Sequence, residues 1–383
     1  MQPTRINDFT PADEVLAVAL ELSSKSWKIA LHDGKREKPA IHTVSDAAPA
    51  RRLDEVVQRL VQMKTKWGLA AGARTVVLYE AGQDGFWIQR ELSKRGYETL
   101  ICDPASIPVE RQQRRAKTDR LDAIKLVLTL RGWLRGEYDR MHVIRVPTVE
   151  AEAQRQLVRD RGELQKETQQ HRDRIRKLLR TVGCWDDVGG DLASRLGKQE
   201  LRCHDGAPLP APLQQRLERE CQRLALVQQQ LAALEKGMLK QLQPTVRQRV
   251  ADLERLKGVG EVGATRLVLE LFWRNFENRR QVGACVGLVP QPYDSGQSRV
   301  DQGISKQGNR RVRALLVEMS WLWLRYQPDS AMAKWFAQRT QGGQNKRGKR
   351  IAIVAVARRL VISLWRYLEH GVVPEGALLK RAA

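Results

Sequence analysis

The sequence is poor in cysteine and in long apolar stretches. Its five cysteines are scattered along 383 residues, and no two form a C-x-x-C pair. This spacing excludes a zinc ribbon and a disulfide framework, so we expect reduced thiols. No apolar run approaches the roughly 20 residues that a membrane-spanning helix needs. The N-terminus, MQPTRINDFTPADE, has no apolar segment typical of a secretory signal, and we expect a cytoplasmic protein without a membrane partner.

Acidic residues are few relative to basic ones. The chain has 67 Lys and Arg against 44 Asp and Glu, which gives a formal charge of +23 and a pI near 10.2. After residue 300 the imbalance sharpens to 16 Lys and Arg against 5 Asp and Glu. Such a balance favours a polyphosphate partner, because each neutralised phosphate releases counterions. The sequence therefore predicts a nucleic-acid-binding protein.

Residues 1–148 have the pattern of an α/β domain. Short apolar segments predict strands at 15–20, 27–33, 40–45, 75–80 and 97–102. Helices are predicted at 51–69 and 85–96, and a further helix begins at Thr118 as its N-cap, with Leu121, Ile124 and Leu128 on one face. Three strands followed by alternating helices and strands are compatible with a ribonuclease-H-like domain.

Residues 149–245 are rich in Gln, Glu, Arg and Leu, which is typical of long helices. The spacing of the leucines predicts two helices packed as a coiled-coil hairpin, joined by a loop-like connector at 183–211. A solvated spacer and an arm for dimerisation or RNA binding both remain open interpretations.

Residues 246–383 predict a mainly α domain. It opens with LKGVGEVGATRLVLEL, where apolar helical segments flank Gly258 and Gly260 in the manner of a helix-hairpin-helix. Such a turn can present backbone N–H groups to a phosphate, although tight glycine turns between core helices are also common. Both interpretations stay open at this stage.

Four carboxylates form the first candidate site. Glu21 and Glu80 end the first and fourth predicted strands, and Asp119 and Asp122 lie three residues apart on a helix face. The first and fourth strands of a ribonuclease-H-like sheet are neighbours, so these acids can meet around a Mg²⁺ or Mn²⁺ ion.

Basic residues surround the two aspartates in the segment RRAKTDRLDAIKL. Arg114, Arg115 and Lys117 precede them directly and would hold a polyanion against an acidic centre. The alternative is a solvated helix face with internal ion pairs. The placement of Glu21 and Glu80 at strand ends favours the metal site.

A serine-containing segment forms the second candidate site. Ser295 lies beside Gly296 and is followed by cations, so it could attack phosphorus while they stabilise the developing charge. No histidine lies nearby in the sequence, and a DNA-binding loop with incidental serines is the alternative. The residues expected to contact nucleic-acid phosphates here and in the later NKRGKR run are Lys306, Asn309, Arg310, Arg311, Arg313, Lys346, Arg347, Lys349 and Arg350.

Several motifs together resemble the DEDD transposases of bacterial insertion sequences. They are YEAG around Glu80, KTDRLDA around Asp119 and Asp122, LKGVGEVGA, and GLVPQPYDSGQS followed by ISKQGNRRVR. They occur in the family's order over nearly the whole chain. The resemblance implies a RuvC-like N-terminal domain and a C-terminal transposase domain.

The resemblance also implies a mechanism. The acidic tetrad would be Glu21, Glu80, Asp119 and Asp122, and the nucleophile would be Ser295. DNA at element ends and target would be cut and rejoined through a covalent phosphoserine, with the sites of different subunits combined in a homodimer or tetramer. A structured RNA transcribed from the element would guide the choice of DNA.

One position departs from the family pattern. Glu21 stands where the family usually has Asp in a pattern like G-x-D-x-[SA]-K, and Lys25 comes one residue late. Two other functions therefore remain open. One is a metal-dependent junction nuclease that uses water, and the other is a non-catalytic nucleic-acid-binding protein descended from a transposase.

Overall fold

The computed structural model describes residues 15–107, 118–295 and 298–380. The chain divides into two compact units, Met1–Pro147 and Thr148–Ala383. None of the helices in the described part of the chain has the length and apolar composition needed to cross a membrane. The three domains predicted at 1–148, 149–245 and 246–383 stay a prediction.

The first unit contains a five-stranded mixed sheet. Its elements are β1 (Leu16–Leu22), β2 (Trp27–His32), β3 (Ala40–Val44), α1 (Pro49–Lys66), β4 (Thr75–Glu80), α2 (Trp87–Lys94), β5 (Glu98–Cys102) and α3 (Asp119–Leu134). The strand order is β3-β2-β1-β4-β5. β2 is antiparallel to β1 and β3, whereas β1, β4 and β5 are mutually parallel. The expected strands and helices are confirmed, and so is the pairing of the first strand with the fourth.

Alternating residue size in β1 determines how helices pack on the sheet. Leu16, Val18 and Leu20 point to the face that α1 and α2 cover. Ala17 and Ala19 point to the opposite face, which α3 covers with its own buried residues. Both faces of β1 are buried, which explains why its sequence is an unbroken apolar run.

Helix α3 begins where the sequence predicts but buries a different face. The Thr118 hydroxyl accepts a hydrogen bond from the backbone N–H of Leu121 at 3.3 Å, as expected of an N-cap. The expected apolar face is wrong, because Leu121 and Leu128 are 47% and 44% exposed. The residues that pack on the sheet are Ala123, Leu126, Val127 and Leu130. Alanine beside small strand residues permits a close helix approach, which the leucine spacing alone does not reveal.

The second unit opens with two long helices, α4 (Val149–Arg180) and α6 (Ala211–Met238), in contact with each other. They run antiparallel, since Arg161 pairs with Glu235 while Arg174 pairs with Glu220. The predicted helical hairpin is therefore present, and its packing as a coiled coil stays a prediction.

The connector between these helices is more ordered than a loop. It contains a short helix, α5 (Leu192–Gly197), and an isolated bridge between Arg202 and Pro208. Leu192 and Leu196 are buried against Ile175 and Leu179 of α4. The loop-like prediction misses α5, because its six residues carry too weak a periodic signal beside Gly and Pro.

The remaining elements pack around one apolar core. They are α7 (Pro244–Glu254), α8 (Glu261–Glu270), α9 (Arg279–Cys285), β6 (Pro290–Ser295), β7 (Ser298–Ile304), α10 (Arg310–Tyr326), α11 (Ala331–Arg339) and α12 (Lys346–His370). Leu267 of α8, Leu316 and Trp323 of α10 and Val361 of α12 are buried in this core. Val158 of α4 joins the same core, which ties the long helical pair to this part of the unit.

Candidate nucleic-acid and metal sites

Carboxylates gather at one end of the sheet in the first unit. Glu21 is the last but one residue of β1, and Glu80 is the last residue of β4. β1 pairs in parallel with β4 through Leu20 and Tyr79, and Glu80 pairs with Cys102 of β5, which Asp103 follows. The carboxyl ends of parallel strands lie at the same edge of a sheet. We call this end, with Glu21, Glu80 and Asp103, the acidic edge.

The two strand glutamates face the helix α3. Side chains alternate along a strand, so Glu21 shares the face of Ala17 and Ala19, and Glu80 shares the face of Val76 and Leu78. All four of those apolar residues belong to the core beneath α3. Glu21 and Glu80 are half-buried, and each has a polar or electrostatic interaction.

The direction of α3 brings its N-terminus toward the acidic edge. Near the other end of the helix, Arg131 donates a hydrogen bond to the carbonyl oxygen of Val15, just before β1 begins. Twelve residues of helix from Asp119 to Arg131 span about 18 Å. Six residues of strand from Val15 to Glu21 span about 20 Å. Because helix and strand run in opposite directions, the start of α3 reaches about the level of Glu21.

The acidic edge is a region of negative potential. Burial, and then the charges of Glu80, Asp103 and Glu21, raise the pKa of the Cys102 thiol to about 12. This thiol is fully buried and donates to the carbonyl oxygen of Tyr79 at 3.6 Å. The effect of all three carboxylates on one thiol agrees with their placement at neighbouring strand ends. Asp103 is absent from the predicted site, although it directly follows β5 just as Glu80 ends β4, so position at a strand end is the signal that could have identified it.

The two helix aspartates are accessible to solvent at the start of α3. Asp119 is exposed and Asp122 is half-buried, both in the first turn of α3. Within residues 15–107, 118–295 and 298–380, no three His, Cys, Asp or Glu side chains are close enough together to hold a metal ion. Arg114, Arg115 and Lys117 lie outside the described residues.

The predicted serine segment is a β-hairpin and not an irregular loop. β6 ends at Ser295 and β7 begins at Ser298, and these two residues are paired across the antiparallel strands. Ser295 therefore lies at the end of the hairpin away from the helices. Ser305 follows β7, and its N–H donates to the carbonyl oxygen of Val289 at 2.9 Å.

Three cations after the hairpin are exposed. Lys306, Arg310 and Arg311 remain accessible to a polyanion, and Arg311 lies 3.6 Å from Glu163 of α4. Lys306 has a positive φ of 57°, so its backbone turns sharply after the hairpin.

Two other residues of the predicted nucleic-acid set have local partners. The Asn309 side chain caps α10 by accepting from the N–H of Val312 at 3.1 Å, and its amide donates to Glu270 at 3.1 Å. Arg313 donates to the carbonyl oxygens of Val286 and Gln307 at 3.0 and 3.1 Å. Both residues fix the connection from the hairpin to α10.

The run at 345–350 forms the first turns of α12. Asn345 caps the helix by accepting from the N–H of Gly348 at 2.7 Å. The four predicted cations then follow on exposed or half-buried positions of one helix start: Lys346, Arg347, Lys349 and Arg350. Their accessibility is compatible with phosphate contacts, which stay a prediction.

The glycine turn lies between α7 and α8 as expected. Gly258 has a φ of +85°, and a Cβ there would lie 3.3 Å from the Leu322 carbonyl oxygen and from the Tyr326 Cβ. Gly260 is the N-cap residue of α8, whose first residue is Glu261. Burial and the charge of Glu261 raise the pKa of the nearby Glu254. The close approach of α10 accounts for Gly258, and the phosphate role of this turn stays a prediction.

Comparison with known proteins gives a consistent result. Residues 250–335 match the family model described as Transposase IS116/IS110/IS902 family, a segment that includes the glycine turn and the serine hairpin. The chain is 40% identical over 378 residues to the putative transposase y4rJ of Sinorhizobium fredii, covering 95% of this chain and 94% of the relative.

Less similar relatives are also described as transposases. The chain is 25% identical to a probable family 20 transposase of Pseudomonas aeruginosa, over 77% of this chain and 84% of that protein. It is 24% identical to the transposase for insertion sequence element IS1328 of Yersinia enterocolitica, over 80% of this chain and 87% of the relative. The basic charge, the paired serine strands and near-complete coverage of a close relative lead to one conclusion: the chain belongs to the IS116/IS110/IS902 family of transposases.

Proposed function

We propose that this transposase cuts and rejoins DNA through a covalent phosphoserine at Ser295, with a divalent metal ion at Glu21, Glu80, Asp119 and Asp122. A structured RNA transcribed from the element selects the element ends and the target. The protein acts as a homodimer or tetramer on these nucleic acids.

The observation that carries the proposal is the meeting of β1, β4 and α3. Glu21 and Glu80 face the helix. Arg131, near the end of α3, bonds to Val15 just before β1, so the start of the helix lies at the other end of the strand, where these glutamates are. Asp119 and Asp122 are in the first turn at that end. Segments about 100 residues apart in the chain therefore supply carboxylates to one region.

The sheet order supports a ribonuclease-H-like, RuvC-like domain. Three antiparallel strands come first in the chain, and β4 and β5 then extend the sheet beside β1. This arrangement makes the first and fourth strands neighbours, which is the feature of that fold on which the proposed site depends.

The proposed ligands are of the chemical type that a hard divalent cation prefers, although no three of them are already close enough together to hold one among the residues that the structure describes. Mg²⁺ and Mn²⁺ prefer carboxylate oxygens, and Glu21, Glu80 and Asp103 lie at neighbouring strand ends of this edge. A bound ion would polarise a phosphodiester and lower the pKa of an attacking hydroxyl. Glu21 in place of Asp has one more methylene, and a change of rotamer can bring its carboxylate back toward the other acids.

The serine requires an activator from outside its own hairpin. A serine hydroxyl is a weak nucleophile at neutral pH, and an aspartate carboxylate is in general too weak a base to deprotonate it unaided. The acids and the serine belong to different compact units. The reaction therefore needs both to act on the same phosphate, within one chain or across subunits.

Asp122→Asn tests the acidic site. It should abolish metal-dependent strand exchange while changing nucleic-acid affinity less than about twofold, because it removes a metal ligand and not a phosphate contact. Strand exchange is measured on element ends and target with the guide RNA and Mg²⁺, and affinity is measured by fluorescence anisotropy.

Asp139→Asn is the matched control, since Asp139 is an exposed aspartate of the same unit in the turn after α3. It should retain full strand exchange. If Asp122→Asn keeps wild-type exchange, the proposed metal site is wrong. If it loses exchange only together with nucleic-acid binding, Asp122 acts in binding and not in chemistry.

A further inference from the structure

A cavity of about 420 Å³ lies in the second unit, lined by none of the residues assigned above. Its walls are one face of α12, the start of α11, the first residue of α9, and the segment 372–375 that follows α12. The backbone N–H of Ala331 donates to the carbonyl oxygen of Glu375 at 3.1 Å. Pro374 is buried, so the segment is packed in place as a wall of the cavity.

The spacing on α12 divides cavity residues from core residues. Arg359, Ile362, Ser363 and Arg366 lie at positions i, i+3, i+4 and i+7, which is one face of a helix. The opposite face packs in the core through fully buried residues such as Leu360, Val361 and Leu364. Both arginines of this face are exposed, so their charged groups lie outside the core.

Positive charge dominates the cavity. Arg279, Arg359 and Arg366 line it, against Glu375 as the one carboxylate among its lining residues. Within the part of the chain that the structure describes, none of these three arginines forms an ion pair. Three guanidinium groups at one cavity repel one another, and an anion bound between them removes that repulsion.

Arg359 is already oriented for such a ligand. Its guanidinium carbon lies 3.9 Å from the ring centroid of Trp335. Stacking uses the flat face of the guanidinium and leaves the N–H groups at its edge available for hydrogen bonds. The arginine therefore loses little further freedom when it binds an anion.

The cavity also has an apolar side and more room than a phosphate group requires. Ile362, Val372 and Val373 line it, and Val372 is 55% exposed. Pockets of about 300 to 1,000 Å³ hold ligands larger than a simple anion. The combination of arginines with an apolar wall fits a phosphate that carries a sugar and a base.

We propose that this cavity binds a nucleotide unit of single-stranded nucleic acid, with the phosphate between Arg279, Arg359 and Arg366 and the sugar or base against the apolar wall. A paired nucleotide in a duplex keeps its base stacked inside the helix, whereas a single strand can turn a base toward the wall. The proposal rests on the transposition function, in which DNA strands are separated and a guide RNA has unpaired segments.

The double variant Arg359→Ala/Arg366→Ala tests the proposal with a labelled oligothymidine as the probe, measured by fluorescence anisotropy over a range of salt concentrations. Affinity should fall at least about tenfold. The slope of log K against log salt should become shallower by about 0.7 for each lost phosphate contact with a single strand. Affinity for a duplex of equal length should fall by less, and thymidine monophosphate should compete poorly.

Lys334→Ala is the matched control, because Lys334 is an exposed cation of α11 that does not line the cavity. It removes one positive charge from the same region, half of what the double variant removes, so the loss of binding free energy expected from charge alone is at most about twice that of the control. A loss of oligothymidine binding free energy within that limit overturns the proposal. An equal loss with duplex overturns the single-strand assignment, and strong competition by thymidine monophosphate shows a free-nucleotide site instead.

These binding measurements need neither metal nor strand exchange. Failure of Ser295 or the acidic edge to perform chemistry would leave the predicted oligothymidine result unchanged. Unchanged oligothymidine binding in the double variant would, in turn, leave the proposed chemistry standing.

Discussion

Asn309 shows how one residue can serve the fold at a position where the sequence predicts a nucleic-acid contact. Its side chain accepts from Val312 and donates to Glu270, which is buried and also pairs with Arg159 of α4 at 3.1 Å. Both ends of the Asn309 amide are thus engaged within the protein. Its position after the serine hairpin makes it a residue that holds the base of the hairpin to α8 and α10.

Asn309→Ala should lower the free energy of unfolding by about 2 kcal/mol, since it removes a helix cap and leaves a buried carboxylate with one partner fewer. Asn309→Ser should cost about half as much, because serine retains the capping hydrogen bond. Chemical denaturation of the two variants measures the difference. If Asn309→Ala leaves stability unchanged and instead makes the salt dependence of DNA binding shallower, the residue is a phosphate contact as the sequence predicts.

Single residues were predictable where local chemistry determines them. Thr118 precedes an aspartate-rich first turn, and its role as a cap follows from that pattern alone. Asp103 was missed because its proximity to Glu80 depends on the pairing of β4 with β5, which the sequence does not specify. The local bonds of Arg313 were missed for the same reason, since its partners become neighbours only when the hairpin folds back.

At the scale of elements, a buried polar cluster fixes the antiparallel pairing of α4 and α6. Glu220 is 3% exposed and lies 2.7 Å from His171 and 3.0 Å from Arg174 across the helix pair. Burial by itself raises the pKa of Glu220, but the hydrogen bonds from His171 and Arg174 outweigh it and hold the pKa below its ordinary value. Such a cluster sets the register of two helices because only one alignment satisfies the carboxylate.

Glu220→Gln should therefore destabilise the protein at neutral pH by about 1 to 3 kcal/mol. A lowered pKa means that the ionised carboxylate stabilises the fold above the ordinary glutamate pKa, and that this contribution is lost as the pH falls through the folded value. The gap in melting temperature between wild type and Glu220→Gln should narrow as the pH falls below about 4.3.

Glu218→Gln is the control, because Glu218 accepts a hydrogen bond from Gln214 of its own helix and has no ion pair across the helix pair among the residues that the structure describes. Glu218→Gln should change the free energy of unfolding only slightly at neutral pH. If the melting temperature of Glu220→Gln lies below that of the wild type by the same amount at all pH values, the ionised carboxylate does not stabilise the helix pair.

Strands and helices could be predicted from the sequence where the spacing of the apolar residues and the position of the turn residues indicate the same element. The run Val15–Leu20 and the run Thr75–Glu80 are too short for helices and are bounded by turns, so their assignment as strands needed no tertiary information. The buried face of α3 was not predictable, because small and large apolar residues lie on both sides of that helix. Which side packs depends on Ala17 and Ala19 of the neighbouring strand.

At the scale of the whole molecule, the candidate chemistry is divided between the two units. The acids lie in Met1–Pro147 and the serine in Thr148–Ala383. Sequence motifs located both parts, since each motif is contiguous. The sequence predicts that Glu21 and Glu80 lie at neighbouring strand ends, whereas the direction of α3 relative to those strands could only be read from the fold.

A covalent protein–DNA adduct is the most direct measure of the central claim. The protein is incubated with guide RNA, labelled element ends, target DNA and Mg²⁺, then denatured, and label that remains on the protein is quantified. The wild-type chain should form the adduct, and Ser295→Ala and Asp119→Asn should each lose it while Ser298→Ala retains it. Strand exchange by the Ser295→Ala protein would contradict the account and would make water or Ser298 the nucleophile.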